Sequence, residues 1–187
     1  MKNGYTLIEV LVAVGIFTII IAAPTGFFVG SLKGQLKALA SQKLLDNTSY
    51  CLEYISRSLR MAKKDLTGAC VERGSNYENP AKNISRIRFL NYQGYCQEFS
   101  LSGGQLGKRE SPNESEENLG EFLPLTSDDL EIISLKFQLS GQSQDDTDQP
   151  RVTLFLKIKG AKGQKPELRP EINIQTTISQ RDLDVSY

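Results

Sequence analysis

From Val10 to Leu32 the chain carries 23 residues without a single charge, bracketed by Glu9 and Lys33. A helix rises about 1.5 Å per residue, so such a stretch spans roughly 35 Å, enough to cross the hydrocarbon core of a bilayer. Val, Ile, Leu and Phe dominate it, and Gly15, Pro24, Gly26 and Gly30 interrupt it. Membrane helices tolerate such interruptions better than soluble ones. The competing reading is a secretory signal peptide, whose apolar region runs about 7–15 residues to a small-residue cleavage site. This run is longer and no A-x-A site ends it, which favours an anchor that is kept.

The 187 residues balance 22 Lys and Arg against 22 Asp and Glu. That argues against a nucleic-acid binder that works by bulk phosphate neutralisation. The length fits one domain, or a domain with an appendage, and 39% apolar residues suffice for a core. Histidine is absent, which excludes Ser-His-Asp and Cys-His catalysis, His-ligated zinc and haem on a proximal His. No P-loop, nucleophile elbow or paired metal-ligand spacing is present either. The expectation is no enzyme, no catalytic residue, no metal site and no cofactor. Charge comes in blocks: residues 1–64 carry 8 basic and 3 acidic groups, while residues 110–148 carry 1 and 11. The acidic block is either a solvated loop or a patch that docks on a neighbouring subunit's basic stretch.

Beyond Lys33 the helical pattern turns amphipathic. Leu32, Leu36 and Leu39 recur at helical spacing, then Leu45, Leu52, Ile55, Leu59 and Ala62, and Thr67-Gly68 breaks the pattern. The spacing predicts one helix from Thr6 to about Lys64. From about residue 84 the period becomes two. Ile87 and Phe89 alternate with Arg86, Arg88 and Leu90; a further strand is expected over 96–101. Ile133, Leu135, Phe137 and Leu139 then alternate with polar neighbours, as do Val152 to Ile158 and Ile172 to Ile178. The fold class is therefore α+β, with a long N-terminal helix packed against an antiparallel β-sheet meander. The Gly-, Ser- and Glu-rich stretch 102–129 reads as a mobile acidic loop.

Glu9 is an ionisable group at one end of a membrane segment, where it needs a partner or a function, or snorkels to the interface. Gly4-Tyr5-Thr6-Leu7-Ile8-Glu9-Val10, followed by the long apolar helix, resembles the N-terminal signature of type IV pilins and type II secretion pseudopilins. The resemblance implies the pilin fold and cleavage by a membrane-embedded prepilin peptidase between Gly4 and Tyr5. It further implies methylation of the Tyr5 amine, where the family usually has Phe, and Glu9 as the buried assembly acid. The layout becomes a leader at 1–4, a transmembrane and filament-core helix at 5–32, its amphipathic continuation at 33–64, and a β-sheet ectodomain at 65–187. Expected partners are the peptidase, the inner-membrane assembly platform and other pilin subunits, with nucleic acid disfavoured. The resemblance places the chain in the inner membrane before assembly, its ectodomain outside the cytoplasm, and in a filament afterwards. It implies a structural subunit of a pilus or related filament; a secretion pseudopilin or a pilus-tip binding subunit for adhesion or DNA uptake is the alternative. A locally unwound stretch, as in many such pili, is expected between Gly15 and Pro24.

Gly26, Gly30 and Gly34, spaced by four, share a helix face that permits close packing or merely adds flexibility. With the ectodomain outside the cytoplasm, Cys70–Cys96 is the expected disulfide and Cys51 a buried small apolar residue; three free thiols are the alternative. Asp145, Asp146 and Asp148 form either plain turn chemistry or a calcium cluster. Lys157, Lys159, Lys162 and Lys165 form a solvated edge or a DNA contact. Asn113-Glu114-Ser115 is a formal glycosylation sequon.

Overall fold

The computed structural model describes residues 4–112, 115, 119–142, 148–160, 163 and 165–181. Asn113, Glu114, Asp145, Asp146 and Lys162 lie outside the described residues. The chain divides into two units, residues 1–39 and 40–187, and one helix, α1 (Leu7–Arg60), contributes to both.

Within the first unit α1 has no buried face: from Leu7 to Leu39 its large apolar side chains are exposed all round. The unwinding expected between Gly15 and Pro24 is not seen, and the helix passes Pro24 without a break. A proline removes one N–H from the ladder and leaves the turns on either side bonded. The Thr18 and Thr25 hydroxyls donate back to the carbonyls of Gly15 and Ile21, each at 2.8 Å.

In the second unit α1 gains a buried stripe, with Leu44, Thr48, Cys51, Ile55 and Leu59 recurring every three or four positions. Ile55, Leu59 and Ala62 are buried as expected, but two of the expected leucines are one residue off. Leu45 is exposed and Leu52 half-buried, and Leu44 and Cys51 take the core positions instead. One residue turns a helix by more than a quarter of a circle, so adjacent leucines cannot share a face. Thr48 fits the stripe because its hydroxyl donates to the Leu44 carbonyl at 2.6 Å.

The helix ends at Arg60, not near Lys64, because distant segments take its last carbonyls. The Tyr77 hydroxyl donates to Leu59 at 2.6 Å, and the Arg181 N–H donates to Arg60 at 2.9 Å. Lys63 has left the helix to donate its N–H to the Leu90 carbonyl at 2.8 Å.

Among the described residues the strands form two antiparallel sheets where one meander was expected. The first runs β1 (Ile87–Leu90), β2 (Cys96–Ser102), β3 (Gln105–Glu110) and β4 (Leu123–Pro124) in that order. The second runs β5 (Glu131–Ser140), β6 (Arg151–Lys159) and β7 (Glu171–Ser179). Phe89, Phe99 and Leu106 of the first sheet and Phe137, Leu154 and Ile158 of the second meet Leu44, Ile55 and Leu59 of α1 in one core.

β3 and β4 lie inside 102–129, so that stretch is not the plain loop it was read as. Gly103 and Gly104 have φ of 59° and 79°, the pair of positive values that a tight two-residue hairpin turn requires. At Gly107 a Cβ would lie 2.4 Å from the Phe122 ring and 2.6 Å from the Leu123 carbonyl oxygen. Only glycine lets β4 come this close.

Two further expectations fail at single positions. Ile133 was placed on the core face of β5, but the register shifts between Ile132 and Ser134. The bulge adds one residue, sends Ile133 outward and buries Ile132 in its place. Leu90 was placed on the wet face beside Arg88, yet it is buried in a second cluster with Cys70, Val71 and Cys96.

Candidate functional site

Gly4, Tyr5 and Thr6 precede the first turn of α1. Thr6 is its N-cap and Glu9 its third helical residue, and the two close a reciprocal capping box. The Glu9 N–H donates to Thr6 Oγ1 at 3.4 Å, while Glu9 Oε2 accepts the Thr6 N–H and the Thr6 hydroxyl, each at 3.0 Å. The carboxylate is therefore tied to the start of its own helix. Thr-x-x-Glu ahead of an apolar run is a recognised capping signature, and Thr6 is the site residue that the sequence reading passed over. Tyr5 is 86% exposed. A Cβ at Gly4 would meet nothing within 4 Å, and its φ is not positive. Nothing in the chain's own described structure calls for glycine there.

The same openness holds at Gly15, Gly26, Gly30 and Gly34, where an added Cβ also meets nothing within 4 Å. The 18-residue window of α1 apolar enough to cross a membrane is entirely uncovered by the rest of the chain.

Cys70 and Cys96 form a disulfide with their Cα atoms 5.3 Å apart. Cys51 is a buried free thiol that burial pushes up to about 12, so it stays protonated and unreactive. The segment that presents Cys70 is organised by Asp65. Its Oδ1 accepts the Thr67 N–H and hydroxyl and the Gly68 N–H at 2.7–2.8 Å, and its Oδ2 accepts the N–H groups of Cys70 at 2.8 Å and Val71 at 3.1 Å. Burial alone would raise the Asp65 pKa; these donors, Cys70 foremost, outweigh it and hold the group at about 2. No local pattern in the sequence singles out Asp65, since its donors come from residues two to six places on.

Of the candidate calcium ligands only Asp148 is described, and its carboxylate pairs with Arg151 at 3.4 Å. On the lysine edge, Lys157 pairs with Glu171 at 2.8 Å. The N-terminal group and the cysteine group lie in different units of the chain.

Residues 1–23 match the family described as the prokaryotic N-terminal methylation motif. This is the type IV pilin and pseudopilin prepilin signal. The prepilin signal takes in Gly4, Tyr5, the Thr6–Glu9 capping box and the first part of the bare helix. No curated protein and no solved structure matches the chain. Behind the prepilin signal, a long helix packed with antiparallel sheets is an α+β arrangement consistent with the pilin fold. The match supports a pilin-like or pseudopilin substrate of prepilin peptidase and implies assembly with other pilins. The apolar helix behind it fits membrane anchoring.

Proposed function

We propose that this chain is a structural, non-catalytic subunit of a type IV pilus or related filament, cut after Gly4 and polymerised through the apolar part of α1. One observation carries the reading: directly behind the prepilin signal, the helix bares its large apolar side chains on every face. Such a surface is stable only in lipid or against other apolar helices. Lipid covers it before assembly, and the helices of neighbouring subunits cover it in the filament.

Glu9 sets the register. Cleavage frees an amine on Tyr5, and a carboxylate and an ammonium removed from water attract strongly, whereas either alone is costly there. The Glu9 carboxylate of an incoming subunit pairs with the Tyr5 amine of a docked one, as a buried polar residue fixes register in a coiled coil. The sheet-bearing second unit is large for a bare polymerisation module, which favours a minor subunit.

Mass spectrometry of the mature N-terminus, with filament imaging, tests the reading. The expected mature chain starts at Tyr5 and carries a methyl group on its amine. Glu9→Gln leaves cleavage intact and lowers filament yield by more than about tenfold, the loss expected when a buried charge pair worth at least ~1.4 kcal/mol is broken. Filaments built from chains that keep residues 1–4, or normal yield from Glu9→Gln, overturn it. Low abundance in sheared filaments distinguishes a minor from a major subunit.

A further inference from the structure

On the outer face of the first sheet, Arg86, Arg88 and Arg109 gather around Glu98. Glu98 is fully buried. Its Oε1 accepts from Arg86 Nη2 at 2.6 Å and Nε at 3.1 Å. Its Oε2 accepts from Arg88 Nη2 at 3.1 Å and Nε at 3.3 Å. Both oxygens are taken. Arg109 stands directly opposite Glu98 in the β2–β3 register. Its Nε is buried without a hydrogen-bond partner among the described residues.

A buried guanidinium Nε–H with no acceptor bears a desolvation cost that a bound oxygen would remove. A cavity of about 310 Å³ opens beside it, lined by Arg109, Arg86, Ser85, Ser100, Ser102 and Asn83 together with Leu101. The serines offer hydroxyl donors and bring no negative charge. The Asn83 side-chain oxygen already accepts the Ser85 N–H at 3.0 Å, so the remaining polar group of that side chain is its amide NH2, a donor. One wall is thus cationic and the remainder, apart from the apolar Leu101, consists of neutral groups able to donate.

We propose that this cavity is an oxyanion site that takes a carboxylate or a phosphate on the fork of Arg109, with the serine hydroxyls closing around it. A guanidinium fork matches both anions in geometry. Two sources carry that chemistry: acidic side chains, such as those of the 110–148 stretch of a second copy, and free phosphate. The site stands whether or not the chain polymerises.

The test uses the full chain in neutral detergent micelles at low salt, titrated separately with inorganic phosphate and with tetraglutamate and followed by amide and Arg Nε–H chemical shifts. Saturable one-to-one binding of at least one probe is expected, with the largest shifts at Arg109, Ser100 and Ser102. Saturation by phosphate alone assigns a phosphate; saturation by tetraglutamate alone assigns a carboxylate. Arg109→Gln lowers affinity roughly tenfold or more, and Arg109→Lys, which keeps the charge and loses the fork, recovers only part of it. Lys136→Gln, the same charge change on an exposed β5 position, leaves binding unchanged. No saturable binding of either probe, or binding that neither Arg109 variant weakens, overturns the proposal. Should Arg109→Gln lose its native shift dispersion, Arg109→Lys alone decides.

Discussion

The stretches of α1 before and after Leu39 share a backbone conformation and differ in what surrounds them. Residues 7–39 show their apolar side chains in every direction, while residues 40–60 bury one stripe and, Leu45 and Tyr50 apart, leave the exposed faces to polar groups. A helix satisfies its own backbone hydrogen bonds, so it is equally at home in lipid and on a sheet. Helicity therefore says nothing about environment; the angular distribution of apolar residues does. The first stretch needs an outside partner on all sides. The second finds its partner within the chain, and its stability comes from that packing.

One pair of substitutions breaks or upholds the comparison. Ile55 is fully buried in the core, whereas Ile16 is 54% exposed. Ile55→Ala should cost roughly 2–5 kcal/mol, through lost burial and the cavity left behind. Ile16→Ala should change unfolding of the sheet-bearing unit by less than about 0.5 kcal/mol and act instead on filament yield. Denaturant unfolding in micelles, followed by tyrosine fluorescence since the chain has no Trp, measures both. Equal destabilisation by the two variants would mean that the first stretch packs on its own chain after all.

The same contrast governs what the sequence could reveal. The apolar stretch of α1 needs no partner to be read, because its 23 uncharged residues and the Gly4-to-Glu9 pattern are local. Strands β6 and β7 also announce themselves by a clean period of two. The failures occur wherever the deciding contact is distant. The end of α1 depends on Tyr77 and Arg181; the parity of β5 depends on a bulge against β6; the burial of Leu90 depends on the segment joined through Cys70. The β2–β3 hairpin was legible and missed, because Gly103-Gly104 between alternating residues is a turn signal that the Ser- and Glu-rich surroundings obscured. In the candidate site, Gly4, Tyr5, Glu9, Cys70 and Cys96 could be named from the sequence. Arg109 could not, since the unpartnered Nε it shows among the described residues depends on how Arg86 and Arg88 fill the Glu98 carboxylate.

The carboxylates sharpen the comparison in a second way. Glu9 is held by its own helix start, whereas Asp65 is held by five donors spread over a loop that closes on the Cys70–Cys96 disulfide. Asp65 is 1% exposed, and its folded pKa of about 2 lies below the ordinary 3.8. A depressed folded pKa contributes stability that is fully present above about pH 4 and lost as pH falls towards 2. The shift corresponds to about 2 kcal/mol. Asp65→Asn should cost about that much at neutral pH, and its stability should be flatter than that of the native chain between pH 5 and pH 2. A native chain and a variant with parallel pH profiles would show that the donors do not bind the charge.

The smallest effects lie at the two ends of α1, where the contrast becomes one of locality. At the start, Thr6 and Glu9 cap each other within one turn; at the end, the Leu59 carbonyl receives the hydroxyl of Tyr77, 18 residues on. Thr6→Val keeps the shape of the side chain and removes the hydroxyl, at a cost of about 1 kcal/mol. Among the described residues nothing else leans on that turn, so the loss should appear as faster amide exchange from Ile8 to Val10 and leave global unfolding unmoved. Tyr77→Phe removes a hydrogen bond of similar worth, about 1 kcal/mol. Tyr77 is buried in the shared core, so this loss should lower the unfolding free energy of the whole sheet-bearing unit, with exchange accelerated at sites far from the substitution. If Thr6→Val also weakened global unfolding, the start of the helix would be coupled to the sheets and the two stretches of α1 would no longer be independent.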